Sequence, residues 1–180
     1  MRLQPACAIL SPYHERGIGM FREMRRIKQA LSVEDCIAVL NRGTSGVLAL
    51  SGDGGYPYAV PLSYAYHDGK LFFHSATAGH KLDAIRADDK ASFCVIDKDQ
   101  IVPDEYTSYF RSVIAFGKVR IVEDETEKLH ALTVLGKRYA PAHQSIRCVP
   151  ETTEKLRGVC VIELAIEHMS GKQAIELVNA

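Results

Sequence analysis

The chain has 180 residues, 47% of them hydrophobic, which is enough to bury one substantial core and to fold as a single soluble domain. Its 22 basic and 22 acidic residues cancel, so no global field gathers nucleic acid or an anionic membrane, and an anionic ligand needs a local site. No apolar run approaches the ~20 residues needed to cross a bilayer, which argues against a helical membrane span.

Residues 1–20 read as an irregular lead-in, punctuated by Pro5, Pro12, Gly17 and Gly19, with an apolar run (Ala6 to Leu10) too short and weakly flanked for a signal peptide. Residues 21–180 are then one domain, and the cytoplasm is its expected address. Five cysteines, Cys7, Cys36, Cys94, Cys148 and Cys160, are odd in number and lack a C-x-x-C pair. Cys36, Cys94 and Cys160 sit in apolar segments and are expected to be buried thiols of a reducing compartment.

Ser32 followed by Asp35 forms a capping box, and the stripe Val33, Cys36, Ile37, Val39, Leu40 predicts a helix over 32–42 that Gly43 closes. Residues 45–51 read as a strand, and Asp53-Gly54-Gly55 as a hairpin turn. In the next segment Tyr58, Val60, Leu62, Tyr64 and Tyr66 alternate onto one face of a strand. Pro57 and Pro61 cannot donate to a ladder, so this strand belongs at an edge. The tyrosine stripe suits either barrel core and interface packing or stacking on a ligand.

A turn at His67-Asp68-Gly69-Lys70 leads to a strand over 71–75, and a helix follows near 79–88. Further strands are predicted over 91–96 and 112–122, the second with a bulge or corner at Gly117. Asp124 and Glu127 cap a helix over 124–139, lined by Leu129, Leu132, Leu135 and Tyr139. A last strand runs from Val159 to Ile166, before a turn at Ser170-Gly171-Lys172. The sum is mainly β: about six strands in an antiparallel sheet that curls into a small barrel, with flanking helices.

The segment from Phe73 to Ile85 carries the most chemical information. A strand end, a loop of small and hydroxyl residues and a helix start bring unpaired N–H groups together with Ser75, Thr77, Gly79 and Lys81, the outline of a phosphate site. The bland reading is equally concrete: Thr77 as a simple N-cap and Lys81 as a solvated helix residue. No Walker A or G-x-G-x-x-G pattern is present, which disfavours nucleoside triphosphates and a dinucleotide fold. His67, His74 and His80 lack metal-ligand spacing and a nearby carboxylate.

The order of segments Met24 to Arg26, Gly46 to Leu50, Tyr58 to Tyr64, Asp68 to Ala76, Gly79 to Lys81 and Phe110 to Gly117 resembles the Nim-type nitroimidazole reductases. These belong to the flavin-binding split-barrel proteins related to pyridoxamine 5′-phosphate oxidase, and the resemblance runs from about Phe21 to Lys172. It implies a six-stranded split β-barrel that holds FMN, with FAD possible, in a groove between two copies of the chain. On that pattern Ser75, Gly79, His80 and Lys81 hold the phosphate, and Val60, Pro61, Leu62 and Ser63 lie along the flavin ring. Arg111, Ser112 and Val113 match a further flavin-contacting stretch. His74 matches a histidine that faces the flavin, either as a proton donor or as a strand-end residue that orients the loop.

The implied activity is an oxidoreductase that passes electrons from NADH or NADPH through flavin to a small organic acceptor such as a nitro-aromatic. A flavin-binding protein without turnover, acting in storage or sensing, fits the same residues. A true pyridoxamine 5′-phosphate oxidase ranks lower, because no additional Arg-rich cluster is visible near the C-terminus to hold a second phosphate.

Overall fold

The computed structural model describes residues 20–140 and 158–178. Helix α1 (Val33–Arg42) starts where the Ser32 hydroxyl accepts a hydrogen bond from the Asp35 N–H, and it buries Cys36, Val39 and Leu40. Strands β1 (Ser45–Ser51) and β2 (Pro57–Ser63) form a hairpin across Gly54 and Gly55, both at positive φ. Strands β3 (Ala65–His67) and β4 (Lys70–Ser75) form a second, tighter hairpin across Asp68 and Gly69, again both at positive φ. Helix α2 (His80–Ala87) leads into the long strands β5 (Lys90–Val102) and β6 (Thr107–Ile121). Helix α3 (Glu125–Tyr139), capped by Asp124, and strand β7 (Cys160–Gln173) complete the fold.

All seven strands pair antiparallel in the order β2-β1-β5-β6-β7-β4-β3. That order forces closure, because β2 and β3 occupy opposite edges of the sheet yet only Tyr64 separates them in the chain. The sheet therefore curls until its two edges meet at Tyr64, which is fully buried and donates its hydroxyl to the Leu40 carbonyl at 2.8 Å. The Tyr139 phenol at the end of α3 bridges the same seam, accepting from the Tyr64 N–H at 2.8 Å and lying 2.6 Å from both the Thr44 and Tyr64 carbonyl oxygens.

The barrel interior is filled by Leu48, Leu71, Phe73, Leu82, Phe93 and Val113, with Phe93 edge-on to Tyr64 and Phe73. Burying a side chain of this size stabilises by about 1.5–3 kcal/mol. A second layer, between sheet and α3, packs Ala65, Phe72, Val122, Leu132, Leu135 and Val161.

Several expectations hold. The edge position of the Pro-containing strand, both capped helices and the irregularity at Gly117 are all present. A Cβ at Gly117 would fall on the Ala165 carbonyl, so only glycine lets β6 and β7 approach there. Others need correction. There are seven strands rather than six, because the predicted strand through Tyr66 breaks at Tyr64, where the chain passes from one sheet edge to the other. The predicted turn at Ser170-Gly171-Lys172 is instead part of β7, and Gly171 is needed because Cys36 and Leu31 occupy the space of its missing side chain. Leu129 is exposed, with Ala131 taking its place on the buried face of α3. Cys36 and Cys160 are buried as expected, but Cys94 is only half-buried; Cys7 and Cys148 lie outside the described residues. Among the described residues no helix is long and apolar enough to cross a membrane.

Candidate functional site

The junction of β4 with α2 is built from backbone as much as from side chains. Gly79 stands at the N-cap of α2 with φ 131°, a conformation that favours glycine, and no side chain caps the helix. The N-cap expectation for Thr77 is thus not met. Open space lies where a Gly79 side chain would project. The first N–H groups of α2 and the positive end of its dipole consequently face an approachable surface. Lys81 joins them, its Nζ donating to the Ser75 Oγ at 3.1 Å. A cation, a hydroxyl and uncapped amide groups in one small volume suit a phosphate dianion.

Helix α2 starts over the edge strand. The His80 ring stacks on Tyr58 of β2 at 4.1 Å, and its Nε2 lies 3.5 Å from the exposed Asp53 carboxylate at the β1–β2 turn. The His80 side chain is thereby engaged with protein groups, while its backbone N–H belongs to the helix start. Along β2, Val60 and Leu62 turn inward against the barrel core, and Pro61 and Ser63 face solvent. The two ends of the predicted site, the turn at 75–81 and the Pro-containing strand, are therefore neighbours.

His74 lies apart from this group. It is exposed and pairs with Val161 across β4–β7, and strand alternation puts it on the face of Phe72, under α3, while Ser75 shares the face of Phe73. It makes no hydrogen bond to another described side chain.

Arg111, Ser112 and Val113 open the fully paired part of β6. Val113 is completely buried in the barrel core, and Ser112 is half-buried between Ile96 and Lys172 of the flanking strands. Arg111 is the centre of a network that contacts neither Ser75 nor Lys81. Its Nε donates to Gln173 Oε1 at 3.1 Å and its Nη1 to Asp97 Oδ2 at 3.3 Å. Asp97 in turn accepts from Arg42 Nε and Nη2 at 2.5 and 2.6 Å. The hydrogen bonds from Arg42 hold the Asp97 carboxyl below the usual carboxylate range, against the opposing effect of burial. Sequence reasoning missed Arg42, Asp97 and Gln173, which come from three segments far apart in the chain and follow no common motif.

A separate surface groove of about 400 Å³ is lined by Phe21, Ala49, Lys90, Phe116 and Glu167, among others. Phe21 fills its rim by stacking on His168 at 4.5 Å. None of the predicted site residues lines it. Among the described residues no group of His, Cys, Asp and Glu is arranged to hold a metal ion.

Known structures share this architecture. A proposed 5-nitroimidazole antibiotic resistance protein from Bacteroides thetaiotaomicron is 21% identical, with 80% of this chain and 86% of that one covered, at a TM-score of 0.69. The flavocytochrome Anf3 from Azotobacter vinelandii is 20% identical over 84% of this chain and 72% of its own, at 0.72. An FAD-binding protein from Mesorhizobium loti is 29% identical over 81% of this chain and 97% of its own, at 0.58. Among curated proteins none matches. The family model described as pyridoxamine 5′-phosphate oxidase spans residues 32–173, from the cap of α1 to the end of β7, and on that match the chain belongs to the pyridoxamine 5′-phosphate oxidase family.

Proposed function

We propose that the chain binds a flavin nucleotide between two copies of itself and acts as an oxidoreductase of the nitroimidazole reductase type. The observation that carries the reading is the Ser75–Lys81 pair beside the uncapped start of α2, facing open space and adjoining an edge strand. An FAD-binding protein of the same architecture at 29% identity supports a flavin in particular. FMN is the expected form, and FAD carries the same phosphate next to its ribityl chain.

When bound, a flavin supplies the redox step, taking electrons from NADH or NADPH and passing them to a small organic acceptor. The chain supplies the rest. Lys81, Ser75 and the N–H groups of Gly79 and His80 hold the phosphate. Val60, Pro61, Leu62 and Ser63 offer the unpaired edge of β2 to the ring, and Arg111 and Ser112 meet it from β6, with Val113 fixing that strand in the core.

A second copy accounts for features that one chain leaves unexplained. Beyond Arg111 the β5–β6 pair continues without a third strand as a ribbon closed at 103–106, with Ile101 68% and Tyr106 98% exposed. Two-stranded ribbons are marginal on their own in water, and apolar tips of this kind favour contact with another surface.

The test is an absorbance spectrum of the purified protein, identification of the released cofactor, and a nitro-aromatic reduction assay with NADH and with NADPH. Turnover with either nicotinamide donor supports the enzyme. A flavin-loaded protein without turnover indicates a storage or sensing role. A colourless protein that ignores added FMN refutes the reading.

A further inference from the structure

We propose that Asp97 is a positioning residue that fixes Arg111 for recognition of the carbonyl edge of the flavin ring. The inference rests on the reading above that Arg111 meets the ring. Four features of the structure carry it.

The first is where Asp97 stands. Strands β5 and β6 pair in register up to Ile96 opposite Ser112 and resume at Lys98 opposite Arg111, so Asp97 is the extra residue of a β-bulge. A bulge leaves one residue without a partner in the ladder and re-aims its side chain, and such bulges gather beside functional sites. Here the re-aimed carboxylate is only 10% exposed and reaches both α1 and β6.

The second is how Arg111 is held. Gln173 takes its Nε–H and Asp97 one N–H of Nη1. A guanidinium has five N–H donors, so three remain, one on Nη1 and two on Nη2. The side chain is 30% exposed, so part of it remains open to a ligand. Both protein contacts fix the plane of the fork, and the free edge matches planar acceptors such as ring carbonyls.

The third is charge. Two guanidiniums share one carboxylate, so the cluster keeps one positive charge that nothing in it cancels. Lys172 lies over the Phe110 ring at 5.2 Å and Lys98 over the Tyr109 ring at 5.8 Å, and these two cations are offset by Asp99 and Glu105 on the same ribbon. The uncancelled charge is therefore that of the cluster itself, and at Arg111 it suits electron-rich oxygen.

The fourth is separation. Arg111 makes none of its contacts with the Ser75–Lys81 pair, so phosphate and ring are gripped by independent groups. The two grips are then distinguishable with ligands that differ only in the phosphate.

The experiment measures binding of FMN and of riboflavin, which lacks the phosphate, by flavin fluorescence in the full chain. Arg111→Gln and Asp97→Asn are each expected to weaken both ligands by about tenfold, the loss of a charge-assisted hydrogen bond. Because Asp97 acts through Arg111, the double variant is expected to bind riboflavin no more weakly than Arg111→Gln alone. A merely structural Asp97 gives additive losses instead, which overturns the proposal. Gln173→Met removes the other hold on Arg111 without touching the α1–β5 ion pair, and it too is expected to weaken riboflavin. This keeps the proposal testable if Asp97→Asn fails to fold. Parent affinity for riboflavin in Asp97→Asn refutes the positioning role while leaving the flavin reading intact. A parent protein that takes up neither ligand removes both.

Discussion

Replacing Tyr139 by Phe removes one oxygen from the seam where the barrel closes, and the consequence follows from its contacts. The phenol accepts one hydrogen bond from the Tyr64 N–H, and with a single proton it donates to either the Thr44 or the Tyr64 carbonyl. Two hydrogen bonds are therefore lost at about 1 kcal/mol each. The Tyr64 N–H retains only a long contact of 3.4 Å to the Thr44 oxygen, so it recovers little of that loss. The ring itself is 43% exposed and keeps its packing, so no cavity term is added. The expected destabilisation is about 2 kcal/mol, or roughly 4–8 °C in Tm for a domain of this size. Denaturant unfolding with an unchanged m-value is the assay, supported by faster hydrogen exchange at the Tyr64 amide. A midpoint equal to the parent's, within about 0.3 kcal/mol, refutes the argument that this phenol fastens the seam.

Glu163 tests the electrostatics of the outer face. Burial alone raises its pKa, but hydrogen bonds from Arg120 and Lys70 outweigh that and hold it below the ordinary value of about 4.3. Its stabilising contribution is present above that value and is lost as pH falls through the lower folded-state pKa. Glu163→Gln is therefore expected to cost stability at pH 7 and to flatten the decline as pH falls below the ordinary glutamate value; a decline identical to the parent's contradicts the assignment. Gly117→Ala places a methyl group on the Ala165 backbone, which cannot swing aside, and is expected to cost about 3 kcal/mol or to yield insoluble protein. A Tm within 2 °C of the parent's would show that β6 and β7 part easily there.

What was legible in the sequence was set by a few neighbouring residues. Ser32 with Asp35 and Asp124 with Glu127 announce helix starts because the cap is made within one turn. Gly54-Gly55 and Asp68-Gly69 announce hairpins because only such residues adopt positive φ cheaply, and Pro57 with Pro61 announce an edge because they lack a donor. What was not legible depends on distant partners. The alternation from Tyr58 to Tyr66 runs straight through Tyr64, and nothing local says that the chain changes sheet edge there. Gly171 looks like a turn glycine until Cys36 and Leu31 are packed against it. Lys98 to Val102 is too polar to read as strand, and it is held extended by its ladder to Thr107–Arg111. The candidate site divides in the same way. The turn from Ser75 to Lys81 is continuous in sequence and was readable, whereas Asp97 reaches Arg111 only through a bulge that no residue pattern marks.

The central claim is that this turn grips a flavin phosphate beside the edge strand, and charge reversal at Lys81 tests it most directly. FMN and riboflavin are titrated into the parent and into Lys81→Glu. The account predicts that FMN affinity falls on the order of 100-fold, from a lost charge-assisted hydrogen bond plus repulsion, while riboflavin affinity stays as in the parent. FMN bound by Lys81→Glu as tightly as by the parent contradicts it.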